Sequence, residues 1–492
     1  MQLINKLIRM IDTNCFINPL YSVLCAFLMG FNCKTNPFDT HDIFTDSAVF
    51  HYVGRVILHG GMPYRDTFDH KGPLIYLIDA FGQFINSEYG VWIVEVVFFF
   101  GLFYFSYKIA QLMGCGELSS MLIITITMIS LYFYFEGGNL TEEYGCFFIM
   151  VGLFVFIKYF REEKISRIYL ILCGFSFGAV CMLRINMISL WMVMCVAVVV
   201  NCIRKKKAGE LPGFIIWFFT GAGIMIVPIF IWLIVNDAFI PFIDDYFVFN
   251  LTYTADPVQT SFENMRSVVH RFLITAPVVM CISMSVLYCL KEKKIWDILT
   301  GISIVVSLVM ICISGRPYMH YAMVMVPFVT YEFSRFFGAV AGKREYLYAK
   351  TACICAVVLL FAPTLNAFHA GLVNTIYVNQ EDVVTADETV SDIIKNNTSE
   401  DDLISVCDNR DALYVLSGRM SASIYSYQYP IAHNDPEIID RYVADLSELR
   451  AKMIIIGIDS FLHGYIDGIL AEHYTLIDTV ENSDIYLLNQ VS

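Results

Sequence analysis

The stretch "PYRDTFDHKGPL", residues 63–74, places Arg65, Asp66, Asp69, His70 and Lys71 within seven residues of one another. The chain around it has the opposite character. Of its 492 residues 57% are hydrophobic and 16% charged, and its mean hydropathy is +0.61. Long apolar runs divided by short polar ones exclude an ordinary soluble domain and predict an α-helical polytopic membrane protein. The charged stretch then reads as part of a loop between spans, and the question it raises is which side of the membrane it faces.

A bilayer core of roughly 30 Å and a helical rise of about 1.5 Å per residue require about 20 apolar residues per span. About eleven runs meet that need, near 15–31, 90–111, 119–135, 143–160, 168–183, 187–203, 212–235, 271–290, 295–314, 320–338 and 350–369. Lys6 and Arg9 precede the first, but no small-residue cleavage site follows it, so it reads as a retained span and not as a signal peptide. With a cytoplasmic N-terminus, alternate loops on that side collect 18 of the 32 Lys and Arg, "RKKK" at 204–207 among them, against eight on the opposite side of the membrane domain. The positive-inside rule therefore puts the N-terminus in the cytoplasm and the tail outside. A nucleic-acid partner does not fit the net charge of −14, whose acids concentrate in outer loops and tail.

The expected organisation is a transmembrane domain over residues 1–370, with a long first outer loop at 32–89, and an extracytoplasmic α/β domain over 371–492. Within the loop, "GPLIYLIDAFGQFI" starts a helix near Pro73 whose apolar positions Leu74, Leu77, Ile78, Phe81, Phe84 and Ile85 suit a membrane surface, with Asp79 and Gln83 off that face. A second outer segment near 236–270 carries Asp237, Asp244, Asp245, Asp256 and Glu263 among aromatics. In the tail, "DLISV", "PEIIDRYVADLSEL", "KMIIIGI", "FLHGYIDGILAEHY" and "DIYLLN" alternate strand and helix patterns. Most of the fifteen cysteines lie in spans as small hydrophobes; Cys33 and Cys407 fall outside and suggest neither a disulfide framework nor a metal site. The "NLT" sequons at 139 and 250 carry no weight.

Ionisable groups near the outer ends of the predicted spans are Asp46, the 65–71 cluster, Glu142, Glu143, Arg184, Arg316 and His320, all on one side. A charge at membrane depth costs roughly 2.5–3.5 kcal/mol, so such groups are expected to face a cavity or one another. Arginines and a lysine suit a phosphate, and a carboxylate beside it suits proton abstraction or a divalent metal. Each residue also has a bland use. Asp46 could cap a helix, Glu142 and Glu143 could complement the dipole of the fourth span, Arg184 could pair with a neighbouring acid, Arg316 could anchor at the interface, and His320 could be a hydrogen-bonded core histidine. Asp69 and Lys71 could simply pair with each other, and "RKKK" could be a topology signal alone.

The order of one span, a long outer loop with an early Asp, many spans and an α/β tail resembles the GT-C class of integral membrane glycosyltransferases. "DSAVFHYVGRVILHGGMPYRDTFDHKGPL" (46–74) looks like the first-loop signature of the bacterial branch related to protein mannosyltransferases and the lipid A aminoarabinose transferase. "GGNLTEEY" (137–144) and "GRPYMHY" (315–321) are similar to segments of that branch. The resemblance implies that Asp46 is the catalytic carboxylate. It also implies a polyprenyl-phosphate sugar as donor, moved in an inverting step to a cell-envelope acceptor on the outer face of a bacterial cytoplasmic membrane. Arg65, Asp66, Asp69, His70, Lys71, Arg184, Arg316 and His320 are then the donor-phosphate and substrate candidates. Many relatives carry a paired Asp-Glu where this chain has Asp46-Ser47. No cofactor follows from that pattern, and a divalent metal, with Asp46, Glu142 and Glu143 as candidate ligands, stays open. Two rival readings are a polysaccharide polymerase or ligase, which needs no acid like Asp46, and a lipid or oligosaccharide transporter, for which inverted repeats and mid-span charges are missing.

Overall fold

The computed structural model describes residues 16–38, 45–254, 261–291, 295–341, 347–377, 384–433 and 436–489. Lys6, Arg9, Asp256, Lys293, Lys294, Lys343 and Arg344 lie outside the described residues. The chain is mostly helical and ends in a small sheet. It divides into two compact units: Met1–Cys33, Trp92–Phe230 and Pro257–Ile376 form one, and Lys34–Val91, Ile231–Asp256 and Tyr377–Ser492 the other.

The first unit is a bundle of mostly apolar helices: α1 Ile17–Gly30, α4 Gly90–Leu112, α5 Glu117–Phe133, α6 Thr141–Glu162, α7 Arg167–Leu183, α8 Ser189–Arg204 and α9 Leu211–Val235, followed by the amphipathic α12 Phe262–Leu273 and by α13 Ala276–Lys291, α14 Ile295–Cys312, α15 Val326–Ala339, α16 Leu347–Leu360 and α17 Ala362–Tyr377. The helices at Gly90–Leu112, Thr141–Glu162, Ala208–Val235 and Ile295–Cys312 are long and apolar enough to cross a membrane. Ile17–Gly30, Glu117–Phe133, Arg167–Leu183 and Ser189–Arg204 are apolar but shorter. Without a hydrophobic driving force in lipid, helices gain by close backbone approach. At Gly174 of α7 an added Cβ would sit 1.8 Å from the Phe218 carbonyl oxygen of α9, so only glycine permits that crossing.

Three of the predicted runs are not single straight helices. The run at 271–290 is entered from α12 through a 78° bend, and the run at 350–369 bends by 59° between α16 and α17. Both restarts read Ala-Pro, Ala276-Pro277 and Ala362-Pro363: proline lacks the N–H an interior position needs but fits a first turn, so each proline ends one helix and begins another. The run at 320–338 opens as a 3₁₀ helix, Met319–Met325, and becomes α-helical where Pro327 enters the first turn.

The second unit joins the first loop, a middle segment and the tail. α2 Thr45–Leu58 packs on α3 Pro73–Ile85, which starts at the predicted proline. The two approach so closely at Gly54 that an added Cβ would be 2.8 Å from the Cβ of Asp79. The polar side of α3 is its buried side: Asp79 faces His51 at 3.6 Å, and Gln83 donates to the His51 carbonyl at 2.9 Å. Phe81 and Phe84 are 58% and 77% exposed, the apolar face expected for a membrane surface. The middle segment runs through α10 Phe239–Ile243, a π-helical turn Asp244–Phe249 and α11 Asn250–Thr254.

The tail contributes α18 Ala386–Asn397, β1 Leu403–Val406, α19 Ala412–Ser417, β2 Met420–Ser421, α20 Glu437–Ser447, β3 Ala451–Gly457, α21 Asp467–His473, β4 Tyr474–Val480 and β5 Ser483–Leu488. The sheet order is β2-β1-β3-β5-β4, with β2, β1 and β3 parallel and β5 antiparallel to both of its neighbours. The parallel core strands are the largely apolar runs "LISV" and "KMIIIG", as two covered faces require. The predicted helix through "FLHGYIDGILAEHY" shortens to α21, because Gly464 takes a left-handed φ of +87° inside a turn. β4 was not foreseen; it is an edge strand whose residues are mostly exposed, so no apolar alternation marks it. The described cysteines are free, with Cys33 and Cys407 buried.

Candidate active site

The predicted site residues fall into both units: Asp46 and the 65–71 cluster in the loop-and-tail unit, Glu142, Glu143, Arg184, Arg316 and His320 in the bundle. Each group is built by its own elements.

Asp46 stands in the first turn of α2, half-buried, where a carboxylate complements the helix dipole. The far end of α2 is gripped by the tail. Arg55 donates to the carbonyls of Tyr414 and Val415 at 3.0 and 3.2 Å, satisfying acceptors that end α19, while the Tyr52 hydroxyl accepts from the Ser421 N–H at 3.0 Å. The rings of Tyr52 and Tyr414 lie 4.9 Å apart.

The cluster at 65–71 is two arrangements in one. Arg65 and Asp66 face outward and bind each other through two hydrogen bonds of 2.9 and 2.7 Å; Asp66 also accepts from the Met62 N–H, and Arg65 donates to the Asn236 carbonyl. Arg65 holds the Asp66 carboxyl below its usual range. Asp69 points inward and is 3% exposed. Its carboxylate accepts from the His70 N–H at 2.7 Å, the Tyr76 hydroxyl at 2.7 Å and the Tyr427 hydroxyl at 2.8 Å. Burial keeps the Tyr76 phenol far above its ordinary pKa, so it remains a donor. The alternative use of Asp69 and Lys71, as a pair with each other, is not what the fold makes: those three donors occupy the carboxylate. Lys71 turns instead to His70, with Nζ 2.6 Å from Nε2. The turn is fastened further by Tyr64, which donates to the Lys71 carbonyl at 2.7 Å, and by Asn250, which donates to that of His70 at 2.7 Å.

Two more acids border this turn. Burial, then the fields of Asp69 and Asp244, push Asp245 up to about 8. Asp411, wholly buried ahead of α19, is pushed up to about 7 by burial, with the Ser426 hydroxyl opposing and Asp69 adding to the rise. Among the fastening residues, Tyr427 had a visible signal in the tyrosine-rich "YSYQYP" at 425–430; Asp411 had none, since its burial depends on the tertiary fold.

In the bundle, "GGNLTEEY" forms a left-handed turn ahead of α6, with φ of +95° at Gly137, +90° at Gly138 and +53° at Asn139. A Cβ at Gly138 would meet the Glu95 carboxylate at 2.5 Å, and that carboxylate accepts from the Asn139 N–H at 2.6 Å. The turn delivers Glu142 and Glu143, both buried, to the first turn of α6. Glu142 forms an ion pair with Arg184, which ends α7, and accepts from the Thr141 hydroxyl at 2.7 Å. The Arg184 guanidinium lies 4.0 Å over the ring of Tyr321. His320 is buried, its ring 4.8 Å from that of Tyr321, and it pairs with Glu136. Sequence reading missed Glu136, Tyr321 and Glu95, although "FEGGNLTEEY" and "PYMHY" hold the first two in sight of named candidates. Arg316 lies half-exposed in the loop after α14, its N–H on the Ser314 hydroxyl at 3.4 Å. No group of three His, Cys, Asp or Glu among the described residues is arranged to hold a metal ion, and the positive partner of Glu142 is Arg184.

Comparison with known proteins bears on this arrangement. The family described as "Putative competence-induced protein Ccs4 N-terminal domain" matches residues 10–332. No curated protein sequence matches the chain. The structure of ArnT from Cupriavidus metallidurans bound to undecaprenyl phosphate aligns with a TM-score of 0.59 at 11% identity, covering 97% of this chain and 99% of that one. Its apo form gives 0.58 at 11% identity over 95% and 97%. The oligosaccharyltransferase AglB from Archaeoglobus fulgidus, in complex with an inhibitory peptide and a dolichol-phosphate, gives 0.51 at 12% identity over 91% and 70%. The fold is thus the GT-C-like one that the resemblance implied.

Proposed function

The chain belongs to the Ccs4 N-terminal-domain family, and from that premise we propose that it is a glycosyltransferase moving a sugar from a polyprenyl-phosphate-linked donor to a cell-envelope acceptor. One observation carries the reading: the fold match runs the full length of a structure that holds undecaprenyl phosphate, with nearly complete coverage of both chains.

The chemistry assigned to the residues is a single inverting displacement. Asp46 accepts the proton of the acceptor hydroxyl as its oxygen bonds to the anomeric carbon. The bond from that carbon to the phosphate oxygen breaks, and the electron pair leaves with the polyprenyl phosphate. In the loop-and-tail unit, the fastened turn presents the Lys71 ammonium to an anion. In the bundle, Arg184 and Arg316 carry positive charge suited to the negative charge that the leaving phosphate gains, an electrostatic service worth most where water is scarce. His320, Arg65, Asp66, Asp69 and His70 are assigned to support and substrate contact. Eleven crossings, a cytoplasmic N-terminus, residues 1–370 as the membrane domain and an extracytoplasmic tail at 371–492 complete the proposal; the asymmetry of basic residues supports it.

The test is transfer of labelled sugar from purified polyprenyl-phosphate sugars, screened against lipid, glycan, teichoic acid and protein acceptors. Transfer from a polyprenyl-phosphate donor is expected. Transfer only from nucleotide sugars, or none across the panel while the purified protein stays folded, would overturn the reading.

A further inference from the structure

The "RKKK" run at 204–207 has a use in the structure that a topology signal does not need. α8 and α14 run antiparallel and are pinned at one end, where the hydroxyls of Ser189 and Ser307 lie 2.6 Å apart. Towards the other end they part, leaving a groove of about 780 Å³. Its walls are apolar: Met192, Val196 and Val200 from α8, and Trp296, Leu299 and Ile302 from α14. Val196 is 62% exposed and Met192 49%. Its mouth is basic on balance, with Arg204 and Lys205 at the C-terminal end of α8, where helix carbonyls already favour cations, against one acid, Glu163. Lys205 pairs with the exposed Glu163 at the end of α6, whereas Arg204 makes no ion pair among the described residues. Lys206 and Lys207 follow directly.

We propose that this groove is a binding site for an anionic phospholipid, whose phosphate sits at Arg204 and Lys205 and whose acyl chains lie between α8 and α14. Charge and shape together select the occupant. A soluble anion needs the basic mouth but gains nothing from walls of valine, leucine and tryptophan. A zwitterionic lipid suits the walls but draws no net attraction from four adjacent bases. Basic pockets between membrane helices bind anionic headgroups, and tryptophan at a helix end suits the headgroup level that the mouth would occupy. A second cavity of the bundle, about 380 Å³ and lined by Phe177, Trp191, Phe218 and other apolar residues, lacks any such basic mouth.

The test is native mass spectrometry, with melting curves, of the full chain supplied with phosphatidylglycerol or phosphatidylcholine. Phosphatidylglycerol is expected to be retained and to raise the melting temperature, while phosphatidylcholine is not. Each basic residue at a membrane surface is worth about fivefold in affinity, so Arg204→Gln with Lys205→Gln should weaken retention roughly 30-fold. Lys206 and Lys207 stay in that variant to keep the topology signal. Because a charge change near a span can disturb insertion, Val196→Trp is the companion: it fills the groove, leaves every charge in place and should also abolish retention. Equal retention of both lipids, or undiminished phosphatidylglycerol retention in Val196→Trp, would overturn the proposal. Displacement of the lipid by inorganic phosphate at equal concentration would overturn it too, since the ligand would then be a free anion.

Discussion

Tyr427 donates its hydroxyl to Asp69 across 2.8 Å although 358 residues separate them, and this bond ties the tail to the turn that carries His70 and Lys71. Removing the hydroxyl in Tyr427→Phe leaves the ring packing and deletes one of three donors to a buried carboxylate. Under the proposed function, the apparent KM for the polyprenyl-phosphate donor should rise several-fold with kcat nearly unchanged. Stability should fall by about 1 kcal/mol, the usual worth of such a bond. Steady-state kinetics beside a melting curve decide it: a loss of stability with unaltered KM would make the bond a fold contact only.

Under the proposed function, Asp46→Asn keeps the shape and removes the base. Turnover should drop by roughly 10²- to 10⁴-fold, with melting temperature near that of the parent protein. A variant that keeps half its activity would remove Asp46 from the reaction.

The Glu142–Arg184 pair gives a stability prediction that needs no substrate. Glu142→Gln leaves the Arg184 guanidinium over Tyr321 without its carboxylate; an uncompensated buried charge costs about 3–5 kcal/mol, and the lower end applies to a side chain that stays 15% exposed. Adding Arg184→Met should return a good part of that loss. If the double variant melts no higher than the single one, the pair is not what stabilises this end of α6.

Asp245 and Asp411 predict the pH dependence. Both are pushed up in the folded chain, to about 8 and about 7, whereas in an unfolded chain they ionise near 4. Between those values the folded state holds more protons than the unfolded one. Their contribution is therefore fully present below about pH 4, declines as pH rises, and levels off above about pH 8. Asp411→Asn should flatten its share of that decline, seen as a few degrees less loss of melting temperature between about pH 4 and pH 7. A slope equal to that of the parent protein would contradict the assignment.

Much of this was legible beforehand where one residue type forces one local outcome. Pro73 starts α3, the unbroken apolar runs become bundle helices, and "LISV" and "KMIIIG" become paired parallel strands. The Ala-Pro restarts at 276 and 362 were equally written in the sequence, but apolar length alone hides a bend. Legibility failed where identity depends on a distant partner. Nothing near Asp69 says that its acceptors are taken by Tyr76 and Tyr427 and not by Lys71, and nothing near Glu142 singles out Arg184 over other cations. Period and composition report local preference, while a buried carboxylate's partner is chosen by the fold.

The dependence of Asp69 on residue 427 has a temporal side. Chains fold from the N-terminus as they are made, yet the turn at 64–71 acquires its last hydrogen bond only when the tail is present. The same holds for α2, whose Arg55 waits for the carbonyls of residues 414 and 415. The loop that is synthesised early is thus completed late. A nascent chain that already carries every bundle helix but not yet residues 414–427 leaves this turn and α2 without those hydrogen bonds.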